Sequence, residues 1–329
     1  MDKRERIVVI DLLKGLGILL MVAGHVGFSD RLNHYIYAFH MPLFFLMSGW
    51  VYRPVRGSFP AFAARQAKAL LVPFAAFGLF FGLVFYALVR STGLGHLLQN
   101  FLFPNSVPFD WCGAVWFLPC LFWIKVLYAA VERWVPGKFR WVVHALLCAL
   151  GMGVSALQIK LPLTLDTCLM GYGIYWLGAL GNGFLSQNRE AVSRRQNLAL
   201  VLCAILLPLV FLNEPINMRE NRYGNFLLFG VNLVSSMTLW AILLHKASEK
   251  VWFRRIRQGL QFLSDHSIAY MVFNQVLMVP FIVLVLRRLS PGPVYLAVQI
   301  GELVFVLMAA GIGSVIIKKT KLRVLLGSK

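Results

Sequence analysis

Apolar runs of about twenty residues recur along the whole chain, separated by short polar connections, and that is the length a helix needs to cross the hydrocarbon core of a bilayer. Ten of these stretches are expected as membrane helices, at roughly 7–28, 35–52, 69–89, 113–131, 141–159, 167–185, 197–212, 224–244, 267–286 and 293–317. The seventh is the weakest, with only about fifteen uninterrupted residues before Asn213. One stretch has a different rhythm. In VWFRRIRQGLQFLS (251–264) the apolar Val251, Trp252, Phe253, Ile256, Leu260 and Leu263 are mixed with three arginines. That is the pattern of an amphipathic helix on the cytoplasmic membrane face, its cations level with lipid phosphates or with a phosphorylated ligand. No repeat or low-complexity tract interrupts the series, and the polar connections are too short for a soluble domain. A single all-α polytopic membrane domain is therefore expected over residues 1–329.

Composition agrees with the pattern: 59% of the residues are hydrophobic, only 14% are charged, and the mean hydropathy of +0.72 lies outside the soluble range. The net charge of +19 would point to nucleic acid in a soluble protein. Here the basic residues are spread over the connections between spans and do not form one patch or tail, which argues against nucleic acid as a partner. With the N-terminus in the cytoplasm, twenty-three basic residues fall on that side and seven on the other, while Lys14 and Lys125 lie within spans. That asymmetry predicts N-in, C-in with an even number of spans, in the inner (plasma) membrane of a bacterial cell. The opening MDKRER is like a signal-peptide n-region, but the apolar run after it contains Asp11 and Lys14 and ends without a small-x-small cleavage site, so a retained first span is expected. Cys112, Cys120, Cys148, Cys168 and Cys203 show no CxxC and no paired spacing, and four of them sit in apolar runs. They read as packing residues, and no metal site is implied.

Candidate chemistry begins in the first span, IVVIDLLKGLGILLMVAGHVGF, where three ionisable residues interrupt an apolar helix: Asp11, Lys14 and His25. Ionisable residues inside a span are functional candidates by default. Lys14 and His25 are eleven positions apart, which returns to within about 20° of one helix face with roughly 16 Å of rise. The second span, YIYAFHMPLFFLMSGWVY, carries His40 on its outer side and ends in Ser48-Gly49, a pair that permits close approach of a neighbouring backbone. A short outer connection lets His25 and His40 approach each other at the outer ends of adjacent helices. A lone membrane histidine is most often a packing residue, and two converging from one hairpin weaken that reading.

Arg65 and Lys68 stand one turn apart at the cytoplasmic start of the third span. They serve either as ordinary positive-inside anchors or, with Lys14, as a cationic mouth for an anionic, phosphorylated ligand. Asp110 and Trp111 introduce GAVWFLPCLF, where Trp116 and Pro119 make a bulky, bent entrance to the fourth span. Trp116 is core or interface on one reading and a stacking platform for a sugar ring on another. Lys125 reads as a residue that snorkels to the inner surface. Glu302, about ten residues into the last span, is expected to be neutral or paired, either as a packed acid or as a substrate contact.

Several of these residues together resemble the acyltransferase family 3 membrane proteins, especially the fucose 4-O-acetylase-like, polysaccharide-modifying acetyltransferases. The resemblance rests on the basic-x10-His pattern of Lys14 and His25, on FHMPLFFLMSG from Phe39 to Gly49, on the basic residues before LLVP (Arg65, Lys68) and on VWFLPCLF from Val115 to Phe122. The late S-x-x-Y from Ser267 to Tyr270 adds to it. One departure stands out: Asn274 occupies the place where many relatives carry a histidine, so an orienting amide is expected there rather than a catalytic imidazole. No SGNH-type hydrolase domain follows the last span, and the reaction is expected to be completed within the membrane domain.

The resemblance implies an O-acetyltransferase with acetyl-CoA as acyl donor, no metal, and a cell-surface or lipid-linked glycan as acceptor. Phosphates of the donor would be held by Lys14, Arg65 and Lys68, with the pantetheine arm running along the first span toward His25. His25 would act as general base on a sugar hydroxyl or would itself take the acyl group. His40 would orient His25 or the acceptor, and Ser48, Trp116, Glu302 and Asn274 would face the substrate. A homo-oligomer is compatible with all of this. Two coincidences and two rivals stand beside it. His25 and Asp30 form the H-x4-D spacing of soluble glycerolipid acyltransferases, but the companion EGTR-type motif is missing. The polar stretch NEPINMRENRYGN (213–225) reads first as a solvated outer loop and second as an acceptor-selecting one. Lys14, His25, His40 and Glu302 would also suit a proton-coupled transporter, although no inverted repeat is visible. A catalytically idle scaffold would be indifferent to His25→Ala.

Overall fold

The computed structural model describes residues 3–89, 93–107 and 111–327. Arg90, Asp110 and Lys329, counted or named above, lie outside the described residues. Among the described residues twelve α-helices follow one another: α1 (Lys3–Val26), α2 (Asp30–Trp50), α3 (Phe59–Val89), α4 (Leu94–Leu102), α5 (Phe117–Trp134), α6 (Gly137–Ala156), α7 (Leu165–Gln187), α8 (Arg189–Leu206), α9 (Phe226–Ser248), α10 (Arg254–Asp265), α11 (Ser267–Leu284) and α12 (Pro293–Lys318). Short 3-10 segments join them, and among the described residues the only strand-like feature is an isolated bridge between Asn217 and Arg222. The protein is an all-α polytopic membrane protein.

Every stretch expected to span is helical, and among the described residues eight of the helices are long and apolar enough to cross a bilayer. α2 and α7 are not among the eight, although their 21 and 23 residues give sufficient length. Polar side chains dilute both: Asp30, Arg31, Asn33, His34 and His40 in α2, and Asp166, Thr167 and Asn182 in α7. The weak seventh stretch gains its length because α8 continues as a 3-10 turn over Leu207–Leu212. α3 starts ten residues before the expected boundary, since the helix-forming run around Ala61, Ala63, Ala64 and Ala67 continues the apolar span outward. Arg65 and Lys68 therefore belong to α3 itself and are exposed on it.

The chain divides into two compact units, Met1–Tyr52 with Ile174–Met218 and Arg222–Ser267, and Arg53–Gly173 with Arg219–Asn221 and Ile268–Lys329. In the first, α1 is largely buried, with Leu12, Ile18 and Val22 fully so. α2, α9 and α10 pack on it. The expected amphipathic segment is α10, with a 3-10 turn at Val251–Phe253 before it. Its Leu260 is buried against α1, where a side chain on Gly15 would collide with the Leu260 carbonyl. Ile256, Phe262 and the arginines Arg254 and Arg255 are exposed on α10. In the second unit, α3 packs on α5 and on the C-terminal 3-10 segment Lys321–Leu326.

Candidate functional site

In the first unit, a side chain on Gly24 would touch Ile36, and one on Gly17 would touch Leu43, which fixes the antiparallel register of α1 and α2. In that register His40 falls opposite residues 20 and 21, about 7 Å along the axis from His25, and Ser48 falls opposite residues 12 and 13, level with Lys14. His40 thus lies inside the hairpin and not at its outer end, because the turn at 27–29 is tight and Ser29 caps α2 by accepting from the Leu32 amide (3.3 Å). The hairpin is a polar ladder with Lys14 and Ser48 at one end, His40 in the middle and His25 at the other.

His40 is buried, and its Nδ1 lies 2.8 Å from the Ile36 carbonyl. A carbonyl only accepts, so Nδ1 carries the proton and Nε2 presents its lone pair. The imidazole packs edge-on against Tyr37, whose hydroxyl donates to the Gly24 carbonyl at 3.3 Å, one residue from His25. His25 is close enough for its charge to act on His40. Lys14 and His25 are both half-buried on a helix whose intervening Ile18, Met21 and Val22 are buried. Asp11 lies within electrostatic reach of Lys14 and of Asp265 on α10. Asp30 is exposed in the first turn of α2, a position that suits a carboxylate for reasons of helix electrostatics alone. Ser48 is half-buried beside Gly49, where a Cβ would collide with the Tyr175 carbonyl, so this end of α2 is fixed against α7.

The second unit holds Arg65, Lys68, Trp116, Asn274 and Glu302. Trp116 is buried at the end of the 3-10 turn Gly113–Trp116, edge-on to Phe117, and the Gly113 amide donates to the Gln275 side chain on α11. That bond brings the Trp116 segment beside Asn274, the neighbour of Gln275. Asn274 is fully buried and donates to the carbonyls of Tyr270 (2.7 Å) and Met271 (2.9 Å), leaving Oδ1 without a donor among the described residues. Glu302 on α12 is 1% exposed, and neither carboxyl oxygen has a hydrogen-bond partner there. Tyr270 ties the two helices by donating to the Leu307 carbonyl at 2.9 Å. Buried acceptors without donors are costly to a fold. Lys125 donates to Gln66 on α3 at 3.3 Å, a packing role between spans.

Sequence reasoning passed over two polar clusters of the second unit. His144 on α6 is 3% exposed, with Nε2 3.0 Å from Glu132 and Nδ1 2.6 Å from the Tyr172 hydroxyl. The carboxylate accepts from Nε2–H, so in the neutral ring Nδ1 accepts from the phenol, and Arg140 donates to the other Glu132 oxygen at 3.3 Å. The signal was present, an ionisable residue in an apolar run, the same that pointed to Lys14 and His25. The second cluster joins Asn105 to Asp166 (2.7 and 2.8 Å) and Thr167 (3.3 Å), all fully buried. The 213–225 stretch is also folded: Ile216, Met218, Asn221 and Tyr223 are buried, and the Asn221 carbonyl accepts from Ser155 (2.8 Å) and Gln158 (3.0 Å). A merely solvated loop does not describe it.

Among the described residues the five cysteines are free, and no three His, Cys, Asp or Glu side chains converge as metal ligands. In comparison with known proteins, a family model described as an acyltransferase domain matches residues 7–318. No curated protein and no solved structure matches the chain.

Proposed function

Because the chain belongs to acyltransferase family 3 and is a membrane acyltransferase, we propose that it moves an acetyl group from cytoplasmic acetyl-CoA to a hydroxyl of a cell-surface or lipid-linked glycan. The observation that carries this reading is that the half-buried ionisable residues Lys14 and His25 share one stripe of a largely buried helix. Their separation of roughly 16 Å suits a donor whose phosphates sit at one end and whose thioester sits at the other.

In this mechanism Lys14, Arg65 and Lys68 are the candidates for neutralising donor phosphates. His25 takes the proton of the acceptor hydroxyl as the oxygen attacks the thioester carbon. The C–S bond breaks, the new ester C–O bond forms, and the departing CoA thiolate recovers the proton. Transfer in two steps through an acyl-imidazole at His25 balances equally well. His40, its tautomer fixed by the Ile36 carbonyl, positions the ring or the acceptor, and Ser48 lines the donor end of the hairpin. The unsatisfied acceptors of Glu302 and Asn274 receive acceptor hydroxyls, and Trp116 offers a face to the sugar ring. The protein works in a bacterial inner membrane with both termini in the cytoplasm.

The test is transfer of radiolabel from acetyl-CoA into the glycan or lipid-linked sugar fraction of inside-out vesicles, with wild type and folded His25→Ala. Label in the wild type and none in the variant supports the reading. Equal label in both removes His25 from the chemistry. No label in either, with native acceptor present, removes acetyl-CoA as the donor.

A further inference from the structure

The C-terminal 3-10 segment Lys321–Leu326 folds back onto α3 beside Lys68. Three features hold it there. Leu326 is buried; Thr320 caps the segment by accepting from the Leu322 amide at 3.1 Å; and Gly327, with φ of +68°, turns the chain so tightly that a Cβ would stand 2.5 Å from the Ala69 carbonyl oxygen. Ala69 follows Lys68 directly. The docked segment and the end of α12 carry Lys319, Lys321 and Arg323, all exposed, to the part of α3 that exposes Arg65 and Lys68. Among the described residues none of these five cations is paired with a carboxylate. Lys125, nearby on α5, is already engaged with Gln66.

Five uncompensated cations from two distant stretches of chain, joined by an ordered backbone contact, make a site for doubly charged phosphate. A purely topological role for C-terminal lysines would not require the segment to be capped and closed onto α3 through a left-handed glycine. We propose that Lys319, Lys321 and Arg323 complete, with Arg65 and Lys68, a phosphate-binding site on the second unit, and that the phosphates it holds are those of the acyl donor's nucleotide. The choice of donor rests on the function proposed above; the phosphate chemistry does not. An anionic lipid headgroup presents the same chemistry, and the two sources are separable.

The experiment compares purified full-length wild type with the K319Q/K321Q/R323Q variant and, separately, with Gly327→Val, which keeps every charge but cannot close on Ala69. CoA binding is measured by equilibrium dialysis in neutral detergent at low salt, and retention of phosphatidylglycerol by native mass spectrometry. We expect CoA to bind roughly tenfold more weakly to the triple variant, as the loss of three exposed charge contacts allows. A shallower dependence on ionic strength accompanies it, and Gly327→Val shows a similar loss. Unchanged CoA binding with lost phosphatidylglycerol assigns the site to lipid. A wild type that binds no CoA but loses phosphatidylglycerol on substitution overturns the donor and keeps the phosphate site. Variants that retain both ligands like wild type overturn the site.

Discussion

His40 in the first unit and Glu302 in the second are both buried ionisable groups inside membrane helices, 2% and 1% exposed. They differ in how their polar atoms are served. His40 has its proton placed by a carbonyl of its own helix, so ring orientation and tautomer are set before any ligand arrives. Glu302 has two oxygens and no donor among the described residues. A group fixed by its own backbone belongs to a preorganised site, where the cost of ordering is met on folding. A buried carboxyl left without donors is a standing penalty that persists where something outside the fold satisfies it. The fold itself orients His40, whereas Glu302 is the group that the proposed function assigns to acceptor hydroxyls.

The sharpest way to break that contrast is Glu302→Leu. Removing an unsatisfied buried acid and filling its volume with hydrocarbon should raise the melting temperature in detergent by a few degrees, since a buried polar group without hydrogen-bond partners destabilises the fold. Acyl transfer should fall about a hundredfold, because a buried acceptor built to meet substrate hydroxyls is worth several kcal/mol in discrimination. Stability rising while activity falls is what an acid kept for substrate hydroxyls predicts; a fall in both would mean that Glu302 is structurally paired. Glu302→Gln, which keeps one acceptor oxygen, should lie between the two.

His144→Phe is next in size and tests a buried histidine of the second unit whose two nitrogens are both engaged. Glu132 and Tyr172 would each lose a partner, and the fold should lose about 1–3 kcal/mol, read from thermal melts. Transfer per folded molecule should be unchanged. A variant as stable as wild type but impaired in transfer would move this cluster from scaffold to site. His40→Phe should act in the opposite sense: stability within about 1.5 kcal/mol of wild type, since the ring volume is kept, and turnover down roughly tenfold with little change in the KM for acetyl-CoA.

How much of this could be read beforehand follows from the range of each interaction. Lys14 and His25 share a face by helix period alone, and the helices themselves follow from runs of apolar residues, so both were legible. So was α10, whose apolar and arginine positions alternate with helical spacing. That α10 uses Leu260 to close on Gly15 was not legible, because glycine in a span signals close approach without naming the partner. The same is true of Gly49 against Tyr175 and of Gly327 against Ala69. The depth of His40 was misjudged because it depends on where the hairpin turns, a matter of Ser29 capping and not of periodicity. His144 was missed although the signal was there, since its partners Glu132 and Tyr172 lie 12 and 28 residues away and become neighbours only when α5, α6 and α7 pack.

The smallest effect concerns an orphan hydroxyl far from the Glu302 carboxyl. Ser314 is fully buried on α12, and its hydroxyl has no partner among the described residues. Buried positions 299, 302, 306, 310 and 314 form one stripe of α12, which places Ser314 about 18 Å along the axis from Glu302. At that distance it has no part in holding the same hydroxyl. Ser314→Ala removes an orphan oxygen at the cost of a very small cavity, so the fold should gain up to about 1 kcal/mol in thermal melts, with transfer unchanged. A loss of stability would mean that an ordered water or a lipid group satisfies Ser314. The same explanation would then have to be weighed for Glu302, whose unpartnered oxygens would no longer set it apart from His40.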